Sequence, residues 1–138
     1  LLPGDVNTEF DEYAPAIAPD ASYLVFQSHS RPDTTGAIDL YVTFRRDDGT
    51  WSPGMNLGDA VNTVHVEKWP SITPDGRYLF FTSDRPVDVQ YSQYSEERKN
   101  LRQVRALYEF YHQPKSQPGW GDVYWVDVVV IEELHPER

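Results

Sequence analysis

Short apolar stretches recur along the chain, and several of them are apolar at both odd and even positions. YLVFQS at 23–28, YLFFTS at 78–83 and VYWVDVVVI at 123–131 all show this pattern. A strand with one face in water alternates between apolar and polar residues, whereas a strand covered on both faces does not. The pattern therefore predicts strands buried on both faces, and it assigns the run VVVI at 128–131 to the last of them.

Polar turns separate these stretches. In the turn TPDG, Pro74 presets its backbone angle, Asp75 bonds back to the local backbone, and Gly76 adopts the positive φ that closes a hairpin. The earlier turn has Ala21 in the place of Gly76, which costs on the order of 1 kcal/mol if the backbone there is left-handed. The predicted strands are, in chain order, 13–18, 22–28, 38–46, a weaker one within 51–58, 68–73, 77–83 and 122–131.

The chain contains an internal repeat with an offset of 55 residues, because APAIAPDASYLVFQSHSRP at 14–32 matches WPSITPDGRYLFFTSDRP at 69–86. The identical pairs are Pro15/Pro70, Ile17/Ile72, Pro19/Pro74, Asp20/Asp75, Tyr23/Tyr78, Leu24/Leu79, Phe26/Phe81 and Ser28/Ser83. Small antiparallel four-stranded sheets that recur at such a spacing, each covered by its neighbours, describe the blades of a β-propeller. We therefore predict an all-β fold with two blades. The alternative is a two-sheet sandwich whose halves are similar by accident.

The repeated sequence motif also resembles that of a known protein family. P-x-I-x-P-D-x-x-Y-L-x-F-x-S, followed by R-P and then by DLY or DVYWV, is similar to the TolB-type, WD-like β-propeller repeat, over most of residues 10–84 and 121–131. The resemblance implies the propeller fold and a bacterial periplasmic or secreted protein. It implies little about function, because such propellers serve as scaffolds, ligand binders and enzymes alike.

The repeat sets the predicted domain organisation. Residues 1–138 form one partial propeller domain, with a first repeat at 6–60 and a second repeat at 61–134. The second repeat contains an insertion at 87–119, between its second and third strands.

The insertion follows from unequal spacing. Six residues separate Pro32 from Asp39, whereas 35 separate Pro86 from Asp122. Within the insertion, residues 95–113 have the capping and apolar spacing of a helix. This helix is expected over the face where the loops open, either as a structural patch or subunit contact, or as a lid over a ligand site.

Two blades are too few for a ring, since repeat folds need at least about three units. Residues 1–10 align with residues 56–65, so residues 1–3 of a neighbouring chain are predicted to supply the missing outer edge of the second blade. The shared positions are Leu2/Leu57, Val6/Val61, Asn7/Asn62 and Thr8/Thr63. We predict a homotrimer that closes a six-bladed ring. A C-terminal piece of a longer propeller explains the same facts.

Composition narrows the range of partners. The formal net charge is −10, from 22 acidic and 12 basic residues, which opposes binding to a phosphate backbone. No apolar run reaches the roughly 20 residues that span a bilayer. There is no cysteine, so disulfides are excluded. The first residue is Leu rather than Met, which suggests that something upstream was removed or left out.

The candidate functional residues occupy equivalent positions of both repeats. Glu12 and Glu67 precede the first strands, and Arg31 and Arg85 follow the second strands, with Asp84 alongside. The structural alternative is an ion pair between neighbouring blades, which repetition in both copies favours.

The remaining candidates are histidines and aromatics. His65 and His29 are expected to lie near each other on the loop face, with His112 in the inserted helix, and His135 is the fourth histidine. Four aromatic side chains are candidates for stacking on a sugar ring, although packing is the favoured interpretation of each: Trp69, Tyr13, Trp120 and Tyr91. The sequence predicts no cofactor and no metal site.

Two functions remain from the sequence. The first is a noncatalytic module that binds a protein, peptide or glycan on the loop face near the channel mouth. The second is a carbohydrate-active hydrolase or lyase that uses paired carboxylates near the channel. Because no single acid pair stands apart from the repeat, the sequence favours binding.

Overall fold

A computed structural model describes residues 1–85 and 121–136 of the chain. The predicted insertion at 87–119 and its helix at 95–113 lie outside the described residues, as do Tyr91, His112 and Trp120. The described residues form two antiparallel sheets of four and three strands and one short helix, which confirms an all-β architecture.

The first sheet pairs its strands in chain order. Three of its strands have six residues each, and the fourth, at the edge of the sheet, has two. In chain order they are β1 (Glu12–Ile17), β2 (Tyr23–Ser28), β3 (Asp39–Phe44) and β4 (Met55–Asn56). The start of β1, the end of β2 and the start of β3 lie at one end of the sheet, because Glu12 pairs with Ser28 and Ser28 with Asp39. We call this the loop end and the opposite one the hairpin end.

The second sheet repeats this layout with three strands, namely β5 (Glu67–Ile72), β6 (Tyr78–Ser83) and β7 (Asp122–Asp127). Glu67 pairs with Ser83, and Ser83 with Asp122, so its loop end has the same register. Each observed strand agrees with its predicted counterpart to within about two residues, except for the two that end the repeats.

The hairpin turns follow their predicted chemistry. Gly76 has φ +69°, and the Arg77 backbone N–H donates to Asp75 Oδ1 at 3.2 Å. Ala21 has φ +58°, so the first repeat holds a side chain in the left-handed conformation that glycine adopts in the second.

The prediction of a strand over the run at 128–131 is wrong. β7 ends at Asp127, Val128 is α-helical, and a four-residue helix follows, α1 (Val129–Glu132). Val128 and Ile131 are buried in the core, so their apolar character reflects a helical turn that covers the core. A short buried helix and a short buried strand cannot be distinguished by apolar content alone.

The main core lies between the two sheets. It includes Val25, Leu40 and Val42 from the first sheet with Leu79 and Phe81 from the second. A second cluster covers the other face of the first sheet, where Val6 from the N-terminal residues packs beside four aromatic or aliphatic side chains: Leu24, Phe26, Tyr41 and Trp51.

The N-terminal residues contact their own chain. Trp51 N–H donates to the Pro3 carbonyl and Asp5 N–H donates to the Trp51 carbonyl, both at 3.0 Å. Residues 1–3 are not part of a strand in the single chain. Among residues 1–85 and 121–136, no helix has the length and apolar character needed to cross a membrane.

Candidate functional site

Glu67 lies at the centre of a buried polar cluster at the loop end of the second sheet. Its side chain is 0% exposed. Oε2 accepts from the Thr63 backbone N–H at 3.0 Å. Oε1 accepts from the Thr63 hydroxyl at 2.8 Å, the Ser83 hydroxyl at 2.8 Å and Arg85 Nη2 at 3.1 Å. Four donors therefore hold one carboxylate in a single position, which is how a buried charge is stabilised.

Arg85 completes this cluster from the other side. Its Nε donates to the Ser83 hydroxyl at 3.0 Å, and its Nη2 also donates to the Val61 carbonyl. The guanidinium carbon lies 4.9 Å from the Tyr124 ring centroid and 5.3 Å from that of Phe81. Two aromatic rings thus contact a desolvated cation whose charge is balanced by Glu67, a favourable setting for a cation–π contact.

The first sheet carries the same cluster. Arg31 Nη2 donates to Glu12 Oε1 at 2.6 Å and Arg31 Nε donates to the Ser28 hydroxyl at 3.0 Å. The Thr8 hydroxyl donates to Glu12 Oε1 at 2.5 Å, while its backbone N–H makes a longer bond of 3.4 Å to Oε2. The guanidinium again lies over two rings, those of Phe26 and Tyr41. This cluster is slightly more open, since the Glu12 side chain is 15% exposed.

These contacts correct the structural alternative drawn from sequence. Each Glu–Arg pair lies within one sheet and joins its first strand to the end of its second, so neither pair spans the two sheets. Sequence reasoning missed Thr8, Thr63 and Ser83 as partners of the carboxylates. It also missed Ser28, whose hydroxyl accepts from Arg31 Nε and donates to the Asp11 carbonyl rather than to Glu12. Their recurrence at the 55-residue offset was the available signal.

The two described histidines of the loop end each contact a carboxylate of their own sheet. His65 Nδ1 lies 3.7 Å from Asp84 Oδ1, which also accepts from the Val66 backbone N–H at 2.9 Å. His29 Nε2 lies 3.2 Å from Asp11 Oδ2. Residues 1–85 and 121–136 contain no group of three or more His, Cys, Asp or Glu arranged to hold a metal ion.

Trp69 is the main exposed aromatic of the loop end. Its side chain is 61% exposed, so the expectation that it packs in the core is wrong. The residue has φ +55° at a register irregularity of β5, and its backbone N–H donates to Gln27 Oε1 of the first sheet at 2.8 Å. Lys68 Nζ lies 4.4 Å from the ring centroid.

The first sheet has a related but smaller feature. Ala14, the repeat equivalent of Trp69, also has positive φ (+48°) at an irregularity of β1. The neighbouring Tyr13 is exposed, and its ring centroid lies 5.7 Å from that of His29. The strand irregularity is therefore a feature of both repeats. The left-handed position holds a small side chain, Ala14, in the first repeat and a large one, Trp69, in the second.

A cavity of about 360 Å³ lies at the hairpin end, away from these residues. Tyr23, Asp20 and Glu132 are among its lining residues. Burial raises the pKa of Tyr23 to about 12, with smaller contributions from the Asp20 and Glu132 charges. Among the described residues the Tyr23 hydroxyl has no hydrogen-bond partner.

No family model, curated protein or solved structure matches the chain. The chain must therefore be interpreted from its own geometry, in which the repeated buried charges are held by structural contacts and the exposed side chains at the loop end are aromatic, histidine and carboxylate groups.

Proposed function

We propose that the two sheets are blades of a β-propeller and that the chain is a noncatalytic binding module, with a protein, peptide or glycan held at the loop end. The closed form of this module is a homotrimer of two-bladed chains. The repeated signature, the shared strand register and the face-to-face core between consecutive sheets all support a blade architecture.

The exposed indole of Trp69 is the observation that carries the binding role. A bulky residue at positive φ is an outlier that costs on the order of 1–3 kcal/mol. Burial does not offset this cost, because most of the side chain is in solvent. An exposed indole whose backbone N–H is held by Gln27 is suited to stacking on a sugar ring or an amino-acid side chain.

The state of the repeated acids favours binding over hydrolysis. A glycosidase needs two carboxyl groups that flank the scissile bond, about 5–10 Å apart and open to substrate. Glu67 is fully buried, and both oxygens of Glu67 and of Glu12 already accept hydrogen bonds. These acids are therefore engaged in maintaining the loop end.

A binding screen with soluble glycans and peptides, read by calorimetry, tests the proposal. We expect a hit whose affinity falls about tenfold or more in Trp69→Ala, the loss of one well-stacked aromatic contact with its buried area. Ile17→Ala is the matched control, since Ile17 is exposed at the hairpin end of β1 and its removal should leave affinity unchanged. Multiple-turnover release of product from a glycan would contradict a noncatalytic role.

A further inference from the structure

The two sheets contact each other through different faces. The first sheet contributes Val25, Leu40 and Val42, and we name that side of a sheet its trailing face. The second sheet contributes Leu79 and Phe81, and we name that side its leading face. Every sheet of the repeat has one face of each kind, so this contact joins unlike surfaces.

The second sheet has a trailing face of its own, and it is exposed. By the repeat offset, Phe80 corresponds to Val25, and by the strand register Val123 corresponds to Leu40. Val25 and Leu40 are both 0% exposed, whereas Phe80 is 37% and Val123 is 63% exposed. The same positions are therefore core in one sheet and surface in the other.

Asn62 shows what covers a trailing face at its outer edge. Its side chain accepts from the Leu40 backbone N–H and donates to the Leu40 carbonyl, both at 2.8 Å. The Leu57 backbone N–H donates to the same carbonyl at 3.1 Å. The segment that contains Leu57 and Asn62 thus covers the start of β3 beside Leu40, next to the two residues that β4 pairs with β3.

The N-terminal segment, residues 1–8, carries the equivalents of these groups. Leu2 corresponds to Leu57 and Asn7 to Asn62. In the single chain Leu2 is exposed, and the Asn7 amide donates to the Leu2 carbonyl at 3.1 Å in an exposed setting. Val6 already packs on the leading face of the first sheet, as Val61 packs on that of the second.

We propose that the trailing face and outer edge of the second sheet bind the N-terminal segment and leading face of another copy of this chain. In this register Leu2 lies beside Val123, and the Asn7 amide bonds the Val123 backbone N–H and carbonyl. Among the described residues, β7 has a strand neighbour on one side alone, β6. The proposal rests on the blade architecture proposed above and specifies the surfaces that close the ring.

Size explains why the N-terminal segment is needed. Three strands of six residues, at about 3.3 Å per residue and about 4.8 Å between strands, make a face of roughly 300 Å². A stable protein–protein contact buries about 800 Å² on each partner. The face alone falls short of this area, and the segment that covers the strand edge adds surface and directed hydrogen bonds.

Charge predicts how the contact responds to salt. Each copy has a formal net charge of −10, so association brings like charges together. The contact itself does not depend on ion pairs between the groups named above, because they are all uncharged: Val123, Phe80, Leu2 and Asn7. Added salt screens the repulsion, and we expect association to strengthen as ionic strength rises.

Cysteine pairing tests the register directly, because the chain has no cysteine of its own. The variants Leu2→Cys and Val123→Cys are made separately and then mixed under mild oxidation. Opposed residues of paired strands lie about 5.5 Å apart at Cα, within disulfide range. We expect a disulfide between unlike chains in the mixture, and little cross-linking of either variant alone. Cross-linking of Val123→Cys with itself would overturn the proposal, because it would show that two trailing faces meet.

Sedimentation velocity provides the second readout. We expect the unmodified chain to exceed monomer mass, and Val123→Glu and Asn7→Ala to raise the dissociation constant by about tenfold or more. Val64→Glu is the matched control, since Val64 is 75% exposed in the loop between the sheets and should leave the mass unchanged.

Two further outcomes would overturn the proposal. The first is a monomer at every concentration and salt level. The second is a Val123→Glu variant that melts earlier as a monomer, which would show that the face is already covered within the single chain. If the chain is a monomer but still binds ligand through Trp69, the docking proposal alone is contradicted. If the chain forms an oligomer of the expected register but binds no ligand, the binding role alone is contradicted.

Discussion

Replacing Glu67 with glutamine isolates the contribution of the buried carboxylate at the loop end. Glutamine keeps the shape of the side chain but removes its charge and converts one acceptor oxygen to a donor. Oε1 accepts three bonds and Oε2 accepts one, from the Thr63 backbone N–H. If the amide oxygen takes the Oε1 position, the new NH2 group faces the Thr63 N–H, and two donors oppose each other.

The cost follows from the burial of both partners. The Arg85 side chain is 6% exposed, so the neutral glutamine leaves a guanidinium desolvated without its counter-charge. Breaking one side of a buried pair in this way costs about 3–5 kcal/mol. For a domain of this size that corresponds to a fall in melting temperature of about 10–15 °C.

Glu12→Gln is the matched control in the first sheet. Its carboxylate is partly exposed, and its backbone hydrogen bond from Thr8 is long, at 3.4 Å. We therefore expect a smaller cost of about 1–2 kcal/mol.

Urea unfolding at one fixed protein concentration, followed by tryptophan fluorescence, measures both variants. Adding Arg85→Met to Glu67→Gln should cost less than the sum of the two single changes, because the second change removes the stranded charge. The reasoning would be refuted if Glu67→Gln cost less than about 1 kcal/mol, or if it cost less than Glu12→Gln.

Three further predictions concern the backbone and the hairpin end. Ala21→Gly should raise the free energy of unfolding by about 1 kcal/mol and Gly76→Ala should lower it by a similar amount, because both positions have positive φ; equal urea midpoints would contradict this. The folded-state pKa of Tyr23 is raised to about 12 from 10.0, so stability should be full below about pH 10 and decline as pH rises towards 12. Tyr23→Phe should lack this alkaline decline in stability. The prediction would be contradicted if the variant and the unmodified protein had the same dependence of stability on pH. Gly36→Ala should destabilise by about 1–3 kcal/mol or more, since a Cβ would lie 1.9 Å from a backbone oxygen. Gly49→Ala, with no atom within 4 Å of its Cβ, should cost only the left-handed strain of about 1 kcal/mol, and a reversed order of melting temperatures would refute the packing argument.

Local pattern was sufficient for the strands and turns. Residues that are apolar at both parities, such as those around Phe26 and Phe81, indicated sheets covered on both faces. The first sheet lies between two apolar clusters, as this pattern predicts. One face of the second sheet is exposed in the single chain, where Phe80 is 37% and Val123 is 63% exposed. The left-handed state of Gly76 followed from its turn. The run at 128–131 was misassigned because its helical turn depends on the end of the core that it covers.

Partner choice within the site was beyond local pattern. The repeat identified Glu67 and Arg85 as equivalents of Glu12 and Arg31, but equivalence does not say which acid meets which base. That choice depends on strand register, which places Ser83 opposite Glu67. The exposure of Trp69 was missed for the same reason, since a register irregularity turns its side chain away from the core.

The polar cluster around Arg85 has a consequence for engineering. Its hydrogen bonds to Glu67, Ser83 and the Val61 carbonyl hold the chain in place immediately before Pro86. The 35 residues that separate Pro86 from Asp122 begin at this point. The strands on either side of these 35 residues, β6 and β7, still pair in a regular register. The first repeat has the same cluster around Arg31, immediately before its short six-residue connection. The cluster around Arg31 is therefore expected to keep the register of the first sheet when foreign sequence, such as a peptide epitope or a second domain, is grafted directly after Pro32, provided that the close contact between Gly36 and the His65 carbonyl is preserved.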